Sequence, residues 1–193
     1  MYVRDAKNRE EVWLLDHIEA MGLDEQSFRS RDYVVAVDEE SDTKAGFGRI
    51  RIHKPQDAPE VCELTSIGVL DNWRGQGVGA HVIERLVTTA ESQGFDSVYA
   101  LTDQPNYLSQ FGFRAVEREQ LPDVLDERLE EKRETLVEDA IGMHLDVGRF
   151  RMPEELRERF KTAAEDRAPA PDPDAEEFGI DPEKATYKYD TGR

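Results

Sequence analysis

The stretch Leu64-Thr65-Ser66-Ile67-Gly68-Val69-Leu70-Asp71-Asn72-Trp73-Arg74-Gly75-Gln76-Gly77-Val78-Gly79-Ala80 decides how this chain is read. An apolar, strand-like run enters a polar turn, then a glycine-rich loop, then a helix opening at Ala80 and His81. Gly75, Gly77 and Gly79 alternate with other residues. Without a Cβ the backbone there can approach a ligand closely and turn its N–H groups toward it. The helix start directly behind adds unpaired amides and a partial positive charge, which suits a phosphate or pyrophosphate.

Around this stretch lies a chain of 193 residues, enough for one domain with a core and an appendage. Acidic residues number 43 against 25 lysines and arginines, giving a formal net charge of −18. Runs such as Asp38-Glu39-Glu40 and Glu130-Glu131 read as solvated faces. An acidic, lysine-poor composition fits adaptation to a salt-rich cytoplasm. It argues against nucleic acid or an anionic membrane as partner, since both demand basic patches. Cys62 is the single cysteine, so neither a disulfide framework nor a thiolate metal site is expected. The amino terminus lacks an apolar leader core and no long apolar run follows, so the expected location is the cytoplasm.

In chain order, residues 2–5 read as a short strand. Asn8 with Glu11 reads as a capping box before a helix carrying Val12, Leu14, Leu15, Ile18 and Met21, stopped by Gly22. Residues 24–30 suit a second short helix. Residues 33–37 and 45–53 suit a hairpin, with Ile50 and Ile52 on one face and Arg49 and Arg51 on the other. A longer strand over 61–70 leads into the glycine loop. Val82, Ile83, Leu86, Val87 and Ala90 then form a helical stripe. A strand over 97–101 follows, parallel to the one before the loop because a helix separates them. A short helix over 106–111, a strand from 113, a charged helix over 121–135 and a strand over 140–147 complete the pattern. Pro153 opens an amphipathic helix with Leu156, Phe160 and Ala164; beyond Asp166 the chain turns acidic and proline-rich, an extended or disordered tail. Tyr187 and Tyr189 are candidates for pinning that tail to a partner or to a second subunit in a homodimer.

Two loop types compete for the glycines. Gly75-x-Gly77-x-x-Ala80 formally fits a dinucleotide fingerprint, with Asp103 at the end of the next strand as ribose ligand. Against it, the loop follows a hairpin rather than opening the domain, and residues 71–74 separate strand from glycine. The same residues fit Arg74-x-x-Gly77-x-Gly79, preceded by Ile67-Gly68-Val69 and followed by Phe111-Gly112-Phe113. In that setting the chain resembles the GNAT family of N-acyltransferases over residues 2–147, in element order as well as motif.

The resemblance implies an α/β GNAT fold, with a mixed, mostly antiparallel sheet of six or seven strands flanked by helices. It implies acetyl-CoA as cosubstrate and no metal. The backbone of Ile67, Gly68 and Val69 would meet the pantetheine arm, and Arg74, Gly75, Gln76, Gly77, Val78, Gly79 and Ala80 would hold the pyrophosphate. Glu63 would be the base, acting through water, with a raised pKa in an apolar strand; the alternative pairs it with Arg49 or Arg51. The N–H near Val69 would serve the oxyanion. The position where many relatives carry the tyrosine that protonates the thiolate is Leu108 here, one residue past Tyr107. That rotates the side chain by about 100° on a helix; an irregular turn would still let Tyr107 serve as the acid for the thiolate, with Ser109 or water as the alternatives and a packing aromatic as the plain structural role. His17, His53, His81 and His144 are scattered and read as structural, while Arg49, Arg51 or Arg114 could meet an acceptor carboxylate.

The expected organisation is an acetyltransferase domain over 1–150, a helix over 151–166 and a tail over 167–193. The expected function is acetyl transfer from acetyl-CoA to a primary amine of a small molecule or peptide, by direct attack in a ternary complex. The charged segment after Leu121 faintly resembles GNATs that acetylate the α-amino group of amino acids. A non-catalytic acyl-CoA-binding module and a protein N-terminal or lysine acetyltransferase are the alternatives.

Overall fold

The computed structural model describes residues 1–163; Ala164, the end of the expected last helix, the acidic tail, Tyr187 and Tyr189 lie outside them. The strands are β1 (Tyr2–Asp5), β2 (Tyr33–Val37), β3 (Lys44–His53), β4 (Val61–Val69), β5 (Ser97–Thr102), β6 (Arg114–Ala115) and β7 (Ile141–Asp146). The helices are α1 (Glu11–Ala20), α2 (Val78–Ser92), α3 (Pro105–Ser109), α4 (Asp123–Thr135) and α5 (Glu154–Thr162). The strands form one sheet in the order β1-β2-β3-β4-β5-β7-β6. Every neighbouring pair is antiparallel except β4 and β5, whose crossover is α2. Among the described residues no helix is long and apolar enough to cross a membrane.

Alternation along β2 divides the core. Val34 and Ala36 face α2 and join Val82, Ile83, Leu86, Val87 and Ala90 of its buried stripe. Tyr33, Val35 and Val37 face α1 and pack with Leu14, Ile18 and Phe47. A third cluster lies under α4, built on Leu121, Leu125 and Leu129. Burying the five aliphatic and alanine side chains of the α2 stripe removes enough apolar surface to outweigh its modest helix-forming composition, at about 25 cal/mol per Å².

Several local expectations shift. Val12 is exposed, so the α1 stripe is Leu14 and Ile18. The cap lies earlier than expected: the Glu10 carboxylate accepts the Lys7 N–H at 2.7 Å. Residues 24–30 make no α-helix, because Arg49 reaches in from β3 and its guanidinium takes the carbonyls of Gln26 and Ser27 at 2.8 and 2.9 Å. Ser27 sits there at φ 55°. The glycine-loop helix begins at Val78, not Ala80, which puts Gly79 inside its first turn.

Candidate active site

Two features of β4 build the site. First, Phe47 pairs with Gly68 and Arg49 with Thr65, so Gly48 alone faces Ser66 and Ile67. This is a β-bulge, which bends the strand and re-aims its side chains. Ser66 adopts φ 50° there, and its hydroxyl donates to Asp24 O at 2.6 Å. Second, β4 and β5 share a single aligned pair, Glu63 with Tyr99, and then diverge. Leu70 N–H donates to Ala45 O on β3 at 3.0 Å. Alternation therefore turns the N–H of Val69 the other way, toward the edge that β5 has left.

The opening between the strands holds a cavity of about 330 Å³, lined by Thr65, Ser66 and Ile67 of β4, the end of β5 through Gln104, Tyr107, Leu108 and Lys132. A second hollow of about 480 Å³ shares Leu23 and Ile67 with it and follows β4 out to Arg74. Arg74 itself is exposed and paired with Asp71 at 3.0 Å.

Gly75 and Gly77 both take φ +74°, the left-handed region that favours glycine. Their surroundings differ. A Cβ on Gly75 would meet nothing, whereas on Gly77 it would stand 2.2 Å from the Leu156 carbonyl oxygen of α5. The C-terminal helix is thus seated against the loop, with Phe160 stacked on His81 at 3.8 Å and 8°. Arg159 donates to Gly75 O at 3.3 Å. His81 in turn holds Gly77 O through its ring Nδ1 at 3.0 Å, and burial pushes its pKa down. A Cβ on Gly79 would lie 2.9 Å from Tyr107 Oη and 3.4 Å from Val69 Cγ2. The start of α2, the end of β4 and the Tyr107 hydroxyl therefore converge at one point. Tyr107 also meets the edge of Phe111 at 5.3 Å, and burial raises its phenol pKa. Leu108 is buried in the core.

Glu63 departs from expectation. It is fully buried, but its partners are neither Arg49 nor Arg51. Arg128 Nε donates to Oε2 at 2.6 Å and His53 Nε2 lies 2.8 Å from the same oxygen. Arg128 continues through Nη2 to Asp24. Burial acts to raise the Glu63 pKa, but the His53 hydrogen bond and the Arg128 charge outweigh it, so the carboxyl is held below the usual range rather than raised. Glu63 Oε1 has no hydrogen-bond partner among the described residues. His53 is part of this cluster. Cys62 beside it is inert, its thiol pushed up to about 12 by burial.

Lys132 is the group the sequence reading missed. Its Nζ donates to Leu101 O on β5 at 2.7 Å, it lines the cavity, and burial pushes its pKa down. Its signal lay in the spacing of Leu125, Arg128, Leu129 and Lys132, which share one helical face. Two cations on the inward stripe of a charged helix mark a built interior rather than a solvated face.

Comparison with known proteins agrees with this architecture. The acetyltransferase (GNAT) family model matches residues 3–113. An uncharacterized N-acetyltransferase of Chlorobaculum tepidum is 25% identical over 63 residues, 33% of this chain and 41% of that protein, so the match spans less than half of the relative's length. The structure of Rv2747 from Mycobacterium tuberculosis in complex with CoA and NLQ superposes with TM-score 0.62 at 14% identity, covering 76% of this chain and 99% of that one. N-acetylglutamate synthase from Neisseria gonorrhoeae, complexed with coenzyme A and N-acetyl-glutamate, gives 0.60 at 14% identity, covering 75% of this chain and 34% of that one. With the family model spanning more than half of its length, the chain belongs to the acetyltransferase (GNAT) family.

Proposed function

We propose that this chain moves an acetyl group from acetyl-CoA to a primary amine of a small molecule or peptide, by direct attack in a ternary complex. The observation that carries the reading is the open edge of β4, where Ile67 lines both hollows and Val69 the second, which runs out to Arg74 at the glycine loop. The residues present fit an acyl-CoA: strand amides for a pantetheine arm, and the glycine loop with the first-turn amides of α2, Val78 to Ala80, which have no acceptor within the helix, for a pyrophosphate. Acetyl-CoA supplies the activated acyl group. The Val69 N–H is the donor for the developing oxyanion. Tyr107, protonated at neutral pH, holds the proton for the departing thiolate. Glu63 draws the proton from the amine only through water at its unpartnered Oε1. Solved neighbours bound to CoA support the same cosubstrate.

A second reading, a module that binds acyl-CoA without turnover, is favoured by the burial of Glu63 and its clamp by Arg128. One assay separates them: thiol release from acetyl-CoA across a panel of free amines and peptides, with CoA affinity measured by calorimetry. Amine-dependent thiol release supports the transferase, tight CoA binding without it supports the module, and activity on peptides alone supports a protein acetyltransferase. Gly79→Glu puts a carboxylate and its bulk beside Tyr107 and Val69 and should weaken CoA binding at least about 100-fold, through charge repulsion and lost space. Unchanged affinity would remove the loop from the cofactor site.

A further inference from the structure

In a chain of net charge −18, the groups packed behind the cavity run the other way. Arg49, Arg51, Arg128 and Lys132 stand against Asp24 and Glu63. Three of these cations are already engaged. Arg49 holds the carbonyls of Gln26 and Ser27, Arg51 meets Gln26 Oε1 and Asp24, and Arg128 joins Glu63 to Asp24. Lys132 differs: it lines the cavity with one donor on Leu101 O, and an ammonium carries three. Thr65 lines the same cavity, 4% exposed, with an Oγ1 that has no partner among the described residues. A buried hydroxyl without a partner calls for one, and here the cavity it lines is where that partner can come from.

We propose that the acceptor amine carries a carboxylate, and that Lys132 and the Thr65 hydroxyl hold it. This rests on the transferase reading above. A desolvated ammonium and an unsatisfied hydroxyl are both donors, and a carboxylate offers an acceptor oxygen to each. The charge of a bound carboxylate opposes the burial that lowers the Lys132 pKa, as the neighbouring acids already do. Asp103 lines the same cavity and its charge reaches Lys132, so an acceptor's amine finds a carboxylate close to the ammonium that takes its own carboxylate, against walls that are otherwise largely apolar. A cavity of about 330 Å³ is small, at the lower end for a ligand site. The fitting class is a small amino-carboxylic acid.

The test pairs free amino acids with their carboxamides, on the full chain loaded with CoA. Binding is read by calorimetry and turnover by thiol release. Wild type should favour the carboxylate at least about tenfold, the effect of one charge-assisted hydrogen bond. Lys132→Met should level the pair, Lys132→Arg should restore the preference, and Thr65→Val should reduce carboxylate affinity several-fold. Thr65→Val removes an unpaired hydroxyl and keeps the side-chain shape, so it reports on binding rather than folding. Equal binding of carboxylate and carboxamide by wild type, or a preference that survives Lys132→Met, overturns the proposal. If no amine is acetylated, the transferase reading fails, and the binding preference on the CoA-loaded protein still decides the role of Lys132.

Discussion

Replacing Gly77 and Gly75 by alanine, one at a time, isolates what α5 does to the glycine loop. Both residues sit at φ +74°, so each alanine takes on the same left-handed strain of about 1 kcal/mol. At Gly75 nothing else changes, since its Cβ points into open space. The expected loss in melting temperature there is about 2–4 °C for a chain of this size. At Gly77 the new methyl would overlap the Leu156 carbonyl oxygen, 2.2 Å away. That atom is backbone, so the whole of α5 must move. Lifting it frees Phe160, only 7% exposed and stacked on His81, at about 2–3 kcal/mol of lost apolar burial. Gly77→Ala should therefore destabilise by about 3–4 kcal/mol in all, about 6–16 °C. Calorimetric melting of both variants in one buffer measures the difference. Equal melting temperatures would refute the seating of α5 on the loop.

Glu63→Gln removes one of the two carboxylates that hold the buried Arg128, leaving Asp24 as its remaining anion, and should destabilise by about 1–3 kcal/mol at neutral pH. The Glu63 pKa is lowered in the folded state, so its contribution is present above the unfolded carboxylate value and is lost as pH falls below it. The variant should flatten the acid limb of stability below about pH 5, as urea melts across pH will show; an unchanged limb would remove Glu63 from the network. Tyr107→Phe should lower kcat about 100-fold with the KM for acetyl-CoA nearly unchanged, and an unaltered kcat would show that another group protonates the thiolate. Molar KCl should raise the melting temperature relative to low salt, because screening to about 3 Å weakens the self-repulsion of a −18 chain; equal melting would sink the salt-adapted reading.

What the sequence disclosed was local. The β4-loop-α2 unit was legible because strand, glycines and helical stripe are contiguous, and each follows from nearest-neighbour geometry. The partners of Glu63 were not: Arg128 is 65 residues away, and Asp24 lies 104 from Arg128. Nothing in composition or spacing announces an ion pair over such separations. The bulge at Ser66 was hidden because a non-glycine residue occupies the positive-φ position, held by its own hydroxyl bond to Asp24 O. The contact of α5 with Gly77 was invisible for a related reason. A glycine read as open to a ligand and a glycine read as open to another backbone look the same in sequence.

The single aligned β4–β5 pair leaves the sheet's strand ladder in two halves above one shared core. Strands β1 to β4 form one and β5 to β7 the other, joined at Glu63 and Tyr99. Arg128 reaches across from α4 to Glu63 and Asp24, so the charge cluster rivets the halves where they join. Any ligand that lay along the free edge of β4 and touched β5 would brace the halves at their open end. Backbone amides on both sides of the gap would then exchange with solvent more slowly, including those far from any atom of the ligand.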